Sequence, residues 1–213
     1  MLKASNIIRT LTRLAVTLGL LLVLELVLGR LPHRTLQSEN WDRLDSLGSL
    51  GKSGRDVLKI YSVLKFNRAD LNEDDAWGIA QVIFDESKDN AIDPMLVLAI
   101  IKVESEFRSD AVSHRGARGL MQVLPIVADH LGQKTAEGKP IHPNVLHDPV
   151  LNIRLGVSYL SELRKQFRDL RLALTAYNWG PTELQKKLDE NEPIPFDYAS
   201  KVLAAYKVYG RIA

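Results

Sequence analysis

Asp93-Pro94-Met95-Leu96-Val97-Leu98-Ala99-Ile100-Ile101-Lys102-Val103-Glu104-Ser105-Glu106-Phe107 is the stretch on which the reading of this chain turns. Asp93 before Pro94 is a helix start: a carboxylate free to cap, then proline at the first helical position, where a missing N–H costs nothing. The run from Met95 to Phe107 therefore predicts a helix. On it, Glu104 follows Val97, Ile100 and Ile101 by seven, four and three positions, so all four share one face. That face is the apolar one. A carboxyl group placed there is costly to ionise, and its pKa is expected to rise. A carboxyl that stays protonated near neutrality is what general acid catalysis needs. On pattern alone, the commoner case is a carboxylate at a helix end turned to water.

Outward from this helix, nearly everything beyond Asn72 reads as helical. Asn72 can cap a helix through Trp77, Ile79, Ala80 and Ile83. Gly116 and Gly119 bracket a turn. Leu120 to Leu131 predicts a helix broken by Gly132, and Gln133 to Asn144, with Pro140 and Pro143, a loop. From Pro149, the positions Val150, Ile153, Val157 and Leu160 form a stripe at helical spacing. Leu170 to Tyr177 is a short apolar helix stopped by Gly180 and Pro181, and a last helix runs from about Asp197 to Tyr209. Before Asn72, Val57, Ile60, Tyr61 and Leu64 share helical spacing, after a polar stretch clustered in Ser and Gly. No segment alternates with period two over a strand length. The expected fold class is all-α.

The chain has 213 residues, 46% hydrophobic and 25% charged, with a net charge of +2 and no cysteine. The balance lacks the basic footprint of a nucleic-acid binder. Disulfides, thiolate chemistry, Cys-type zinc sites and a lipid-modified N-terminal cysteine are excluded. His114, His142 and His147 lack ligand spacing with acidic neighbours, so no metal site and no cofactor are expected. At the start, Lys3, Arg9 and Arg13 precede an apolar run from Leu14 to Leu28, interrupted by Glu25 and followed by Arg30, His33 and Arg34. Residues after the run offer no convincing small-residue cleavage site, which favours an uncleaved signal anchor over a cleaved signal or a buried helix. The expected organisation is residues 1–33 as a transmembrane anchor, 34–72 as a linker with a short amphipathic helix, and 73–213 as the functional domain.

The motifs around Glu104 are more specific than any single residue. Glu104-Ser105-Glu106-Phe107, Ala111-Val112-Ser113, and Gly116-Ala117-Arg118-Gly119-Leu120-Met121-Gln122 come first. Asp148-Pro149-Val150-Leu151-Asn152-Ile153, with Gly156 and Tyr159-Leu160, and then Ala176-Tyr177-Asn178-Trp179-Gly180-Pro181 follow in order. Together they strongly resemble the lytic transglycosylases of the soluble (SLT) type, over roughly Ala76 to Tyr209. The resemblance implies a lysozyme-like helical domain with a groove for peptidoglycan glycan strands. Glu104 matches the single catalytic glutamate, and Ser105 the serine that supports its surroundings. Ser113 and Gln122 match substrate-contacting polar residues, and Met121 a groove-lining position. Tyr177 matches the tyrosine that orients the glutamate, with Asn178 its neighbour. Taken one at a time, each would read as a turn, surface, core or helix-stop residue.

Two departures stand out. Trp179 occupies a position that is usually alanine, where an indole can stack on a sugar or narrow the groove. Ile194-Pro195-Phe196 runs almost directly into Asp197-Tyr198-Ala199, so a segment that usually carries a second glutamate is shortened. The resemblance implies cleavage between N-acetylmuramic acid and N-acetylglucosamine with formation of a 1,6-anhydro ring. A hydrolytic muramidase on the same fold and a non-catalytic peptidoglycan-binding scaffold of an envelope machine are the alternatives. It also leaves room for protein partners in such a machine. The expected location is the inner membrane, single-pass, with the catalytic domain in the periplasm; a secreted periplasmic protein is the alternative. Cell fractionation with sequencing of the mature N-terminus checks the anchor: the protein should sediment with membranes and keep residues 1–33. Soluble protein starting between about residues 31 and 40 would refute the anchor and leave export standing.

Overall fold

A computed structural model describes residues 51–68, 71–133 and 141–212; the anchor expected at 1–33 lies outside them. Among the described residues the regular structure is helical: α1 Lys52–Asn67, α2 Glu73–Asp89, α3 Pro94–Ser105, α4 Pro125–Gly132, a 3-10 turn Pro143–His147, α5 Pro149–Phe167, α6 Leu170–Trp179, α7 Pro181–Asp189 and α8 Asp197–Ile212. The compact unit begins at Gly51. Thus α1 belongs to it, through buried Val57, Ile60, Val63 and Leu64, whereas the sequence reading set the boundary at 73.

Helix α3 is the centre. Seven consecutive residues, Met95 to Ile101, are buried, so the helix is enclosed on every side rather than along one stripe. Asp93 caps it through Met95 N–H at 2.8 Å. At the other end Glu106 turns left-handed at φ 53° and Phe107 follows at φ 65°, ending the helix two residues earlier than Phe107. Helix α8 packs along α3 in the opposite direction. Tyr206 near its end donates to Asp93 Oδ2 at 2.7 Å, and Tyr198 near its start reaches Glu104. Tyr209 adds a bond to Asn67 at the end of α1.

Two stretches differ from the sequence reading. Leu120 to Leu124 is not helical. Gly119 at φ +78° and Gln122 at φ 47° break any helical run, and Leu124 is held extended by the proline that follows it. The helix starts at Pro125. The residues from Ala111 to Leu124 instead form a folded loop closed by the isolated bridges Val112–Arg118 and Arg118–Val123. Pro181 also does more than stop α6. It is the first residue of α7, a helix the periodicity had not revealed.

One side chain fixes the loop to α5. Asn152, fully buried, accepts from Met121 N–H at 2.7 Å and donates to Arg118 O and Leu146 O, both at 2.8 Å. A side chain at Gly119 would collide with Leu146 O and the Asn152 amide. At Gly156 a Cβ would come within 2.6 Å of the Met121 sulfur. His147 adds a bridge, one ring nitrogen toward Ser109 O at 3.0 Å and the other toward Arg118 Nη1 at 2.9 Å. Asn152→Ala would take the partner from the buried Met121 N–H and Leu146 O and leave Arg118 O with Val123 N–H alone, a loss of about 3 kcal/mol. We expect a fall in melting temperature of roughly 6–12 °C in thermal unfolding followed by circular dichroism. An unchanged melting temperature would show that the loop does not depend on this amide.

Candidate active site

The last turn of α3 delivers Glu104 to a cavity of about 170 Å³. The folded loop supplies Ser113, Arg115, Ala117, Gln122, Val123 and Leu124, α5 supplies Tyr159, and the end of α6 supplies Tyr177, Asn178 and Trp179. Hollows of about 420, 510 and 530 Å³ lie elsewhere on the described surface, and none contains Glu104. Chemistry, not volume, singles out the smallest.

Burial pushes the Glu104 carboxyl up from its ordinary 4.5 to about 7. A hydrogen bond donated by Tyr198 Oη to Oε1, at 2.5 Å, opposes that rise by favouring the carboxylate. Tyr198 and Tyr177 are themselves raised well above 10, first by burial and then by the Glu104 charge, so both stay protonated donors. Glu106 faces away: it is exposed, in the left-handed residue that ends α3, and does not line the cavity.

The other expected residues distribute unevenly. Ser113, Gln122, Tyr177, Asn178 and Trp179 all line the cavity with Glu104. Gln122 spends its amide N–H groups on Ala111 O and Gly119 O, which leaves its carbonyl oxygen as the polar atom for a ligand. Ser105 is buried beneath the site and donates to Leu120 O at 2.8 Å, tying the end of α3 to the loop. Trp179 has the Lys187 ammonium over its ring at 5.5 Å.

Two residues depart from expectation. Met121 is fully buried, packed on Gly156, and does not line the cavity. Its backbone is what matters, with N–H to Asn152 and O accepting from Tyr177 Oη at 2.8 Å. Tyr177 therefore does not bond Glu104, and the hydroxyl on the carboxylate belongs to Tyr198. The sequence reading placed Tyr198 only in the final helix. Its signal was the run Phe196-Asp197-Tyr198, which puts a tyrosine into the first turn of α8. Tyr159, which stacks at a tilt on Tyr177 with centroids 5.5 Å apart, and Arg115 were also not foreseen as cavity residues.

An all-helical domain with one buried carboxyl in a tyrosine-lined groove has the architecture of the lysozyme-like fold. The Transglycosylase SLT domain matches residues 67–197, well over half of the chain, and the chain belongs to that family. The membrane-bound lytic murein transglycosylase C of Haemophilus influenzae is 38% identical over 111 residues, which are 47% of this chain and 31% of that protein. The solved structure of an inactive mutant of the lytic transglycosylase Slt from Pseudomonas aeruginosa is 34% identical with a TM-score of 0.53. It covers 62% of this chain and 24% of the other. The 70-kDa soluble lytic transglycosylase SLT70 of Escherichia coli is 30% identical with a TM-score of 0.55 over the same shares. This chain thus spans about a third of its curated relatives and a quarter of the solved ones.

The carboxyl has a measurable consequence for stability. In the unfolded chain Glu104 sheds its proton near 4.5, whereas the folded protein holds it to about 7. Between those values the folded state binds more protons, so stability falls as pH rises through the window, by up to about 3 kcal/mol, and then levels. Glu104→Gln should remove that slope, melting higher than the parent at pH 8 and near it at pH 4. In Tyr198→Phe the donor is lost, so the Glu104 midpoint in a carboxyl-carbon NMR titration should move above about 7. A midpoint that stays put or falls would deny Tyr198 its hold on the carboxylate.

Proposed function

We propose that this chain is a lytic transglycosylase that cleaves the β-1,4 bond between N-acetylmuramic acid and N-acetylglucosamine in peptidoglycan. The observation that carries this reading is Glu104: among the described residues it is the one carboxyl group lining the groove, and it is protonated up to about pH 7. Two-carboxylate glycosidases divide the work between an acid and a nucleophile or base. Here one group does both jobs in turn. Glu104 donates its proton to the glycosidic oxygen as the C1–O bond breaks, and the muramic acid acetamido oxygen stabilises the cationic C1. The resulting carboxylate takes the proton of the C6 hydroxyl, whose oxygen bonds to C1 and closes the 1,6-anhydro ring. Protons balance and no water is consumed. Tyr198 holds Oε1 through both steps. A muramidase could use the same Glu104 carboxylate to activate water in place of the C6 hydroxyl, so the two readings part at the product.

Ser113, Gln122, Tyr177, Asn178 and Trp179 are the substrate-binding set in this reading, with Trp179 stacking on a sugar through the face that Lys187 leaves free. Residues 1–33 serve as the inner-membrane anchor, with the catalytic domain in the periplasm. The basic flank and apolar run support this, as does the membrane-bound name of the relatives. Among the described residues no helix is long and apolar enough to cross a membrane.

The test is product analysis on purified sacculi. The parent should release anhydro-ended muropeptides rather than reducing ends. Glu104→Gln, nearly isosteric, should lose more than the roughly 10²–10⁴-fold typical of one acid–base step, because protonation and deprotonation fail together. Glu106→Gln should stay close to parent, and Trp179→Ala should weaken strand binding without lowering the melting temperature. A folded Glu104→Gln that still releases anhydro products at near parental rate removes the chemistry from this proposal, and reducing-end products would make the chain a muramidase.

A further inference from the structure

The turn Ser113-His114-Arg115-Gly116 carries a cationic side chain that the mechanism does not use. Gly116 N–H donates to Ser113 O at 2.9 Å, Ser113 N–H to Ala117 O at 2.9 Å, and Ala117 N–H to Ser113 Oγ at 3.0 Å. Gly116 sits at φ +79°, a conformation that suits glycine and closes the turn. Arg115 is thus presented from rigid backbone. Its side chain is exposed, it lines the same cavity as Glu104, and among the described residues it has no ion-pair partner. Other surface cations are committed: Lys187 to Glu192 and Arg154 to Glu86.

With Glu104 neutral, Arg115 is the one formal charge on the cavity lining. It does not set the state of the acid, since burial and Tyr198 are what govern Glu104. Its charge is therefore directed at what enters the groove. N-acetylglucosamine carries none. The only ionised group that a glycan strand presents is on the C3-oxygen substituent of muramic acid: the lactyl carboxylate where the peptide has been removed, or the carboxylates of the stem peptide where it remains. A guanidinium presents a planar fork matched to that group.

We infer that Arg115 is a specificity-determining residue that recognises a carboxylate on the muramic acid substituent and so separates peptidoglycan strands from neutral glycans. This rests on the functional reading above. The pairing is solvent-exposed, so it is worth a modest factor and is screened by salt.

Binding measured by isothermal titration on the full chain, in a Glu104→Gln background to stop turnover, tests the inference. Three tetrasaccharides serve as probes: a peptide-bearing peptidoglycan fragment, the same fragment stripped by amidase, and chitotetraose. Adding Arg115→Gln should weaken one or both carboxylate-bearing ligands by roughly 2- to 5-fold and leave chitotetraose unchanged. Arg115→Lys should recover part of the loss, and the difference should shrink between 50 and 300 mM salt. Loss confined to the peptide-bearing fragment identifies the stem carboxylates as the ligand, and loss confined to the stripped fragment identifies the lactyl group. Equal loss on all three ligands, or none on any, overturns the inference while the functional reading stands. If the Arg115-containing protein binds none of the three, the functional reading falls and takes the inference with it.

Discussion

The buried amide of Asn152 is the interaction on which the site depends. Its oxygen and both N–H groups are spent on three backbone groups from three places: Met121, Arg118 and Leu146. A fully buried amide is stabilising only when all its valences are met, and here the folded loop meets them. The converse also holds. Met121 N–H falls outside any helix, so without Asn152 the loop would carry an orphaned donor into the core, and Arg118 O would keep only Val123 N–H. The two close approaches at Gly119 and Gly156 follow from this clamp, because the loop lies too near α5 for a Cβ at either position. The wall of the groove formed by Ser113, Gln122 and Val123 is thus held by a residue that does not line it.

The second constraint comes from α8. Its tyrosines reach both ends of α3, Asp93 through Tyr206 and Glu104 through Tyr198, so the helix that completes the core also orients the acid. This couples stability to chemistry. Glu104 is the residue of α3 that meets the cavity, just beyond the enclosed run Met95 to Ile101, and burial is what raises its pKa. Ser105, the next residue, is bonded to Leu120 O, which prevents the last turn from unwinding toward solvent. Glu104 cannot relax into water without giving up that bond and the Tyr198 contact.

Much of this was legible beforehand, and the reasons are local. Asp93-Pro94 and Asn72 are cap signals whose physics involves only neighbouring residues, and each starts a helix as read; Asp148 caps the helix read from Pro149 in the same way. The amphipathic spacing of Val57, Ile60 and Leu64 gave α1 its burial but not its membership of the unit, since which surface it packs on is a matter of tertiary contact. The stretch after Gly119 misled because Leu120 to Leu131 has helical composition; two positive-φ residues and a pre-proline residue overrode it. Glu104, Ser113, Gln122, Tyr177, Asn178 and Trp179 converge on one cavity. Met121 does not, because its place is decided by Gly156 across the loop, a contact no spacing reveals.

Tyr198 shows where sequence reasoning stops. A tyrosine in an amphipathic terminal helix is usually a core aromatic with a locally satisfied hydroxyl. What sets this one apart is where the preceding connection ends. From Ile194 to Asp197 there is room only for an extended Pro195-Phe196 before α8 begins, with Ser200 N–H bonded back to Phe196 O at 2.8 Å. Phe196 is pinned there by Arg171 of α6, whose guanidinium lies 4.2 Å from its ring centroid. That pin fixes the start of α8 against α6, and so fixes which turn of α8 faces the end of α3. Because Tyr198 is two residues on, its hydroxyl meets Glu104. The contact that sets the start of α8 is thereby also the device that positions the hydroxyl on Glu104.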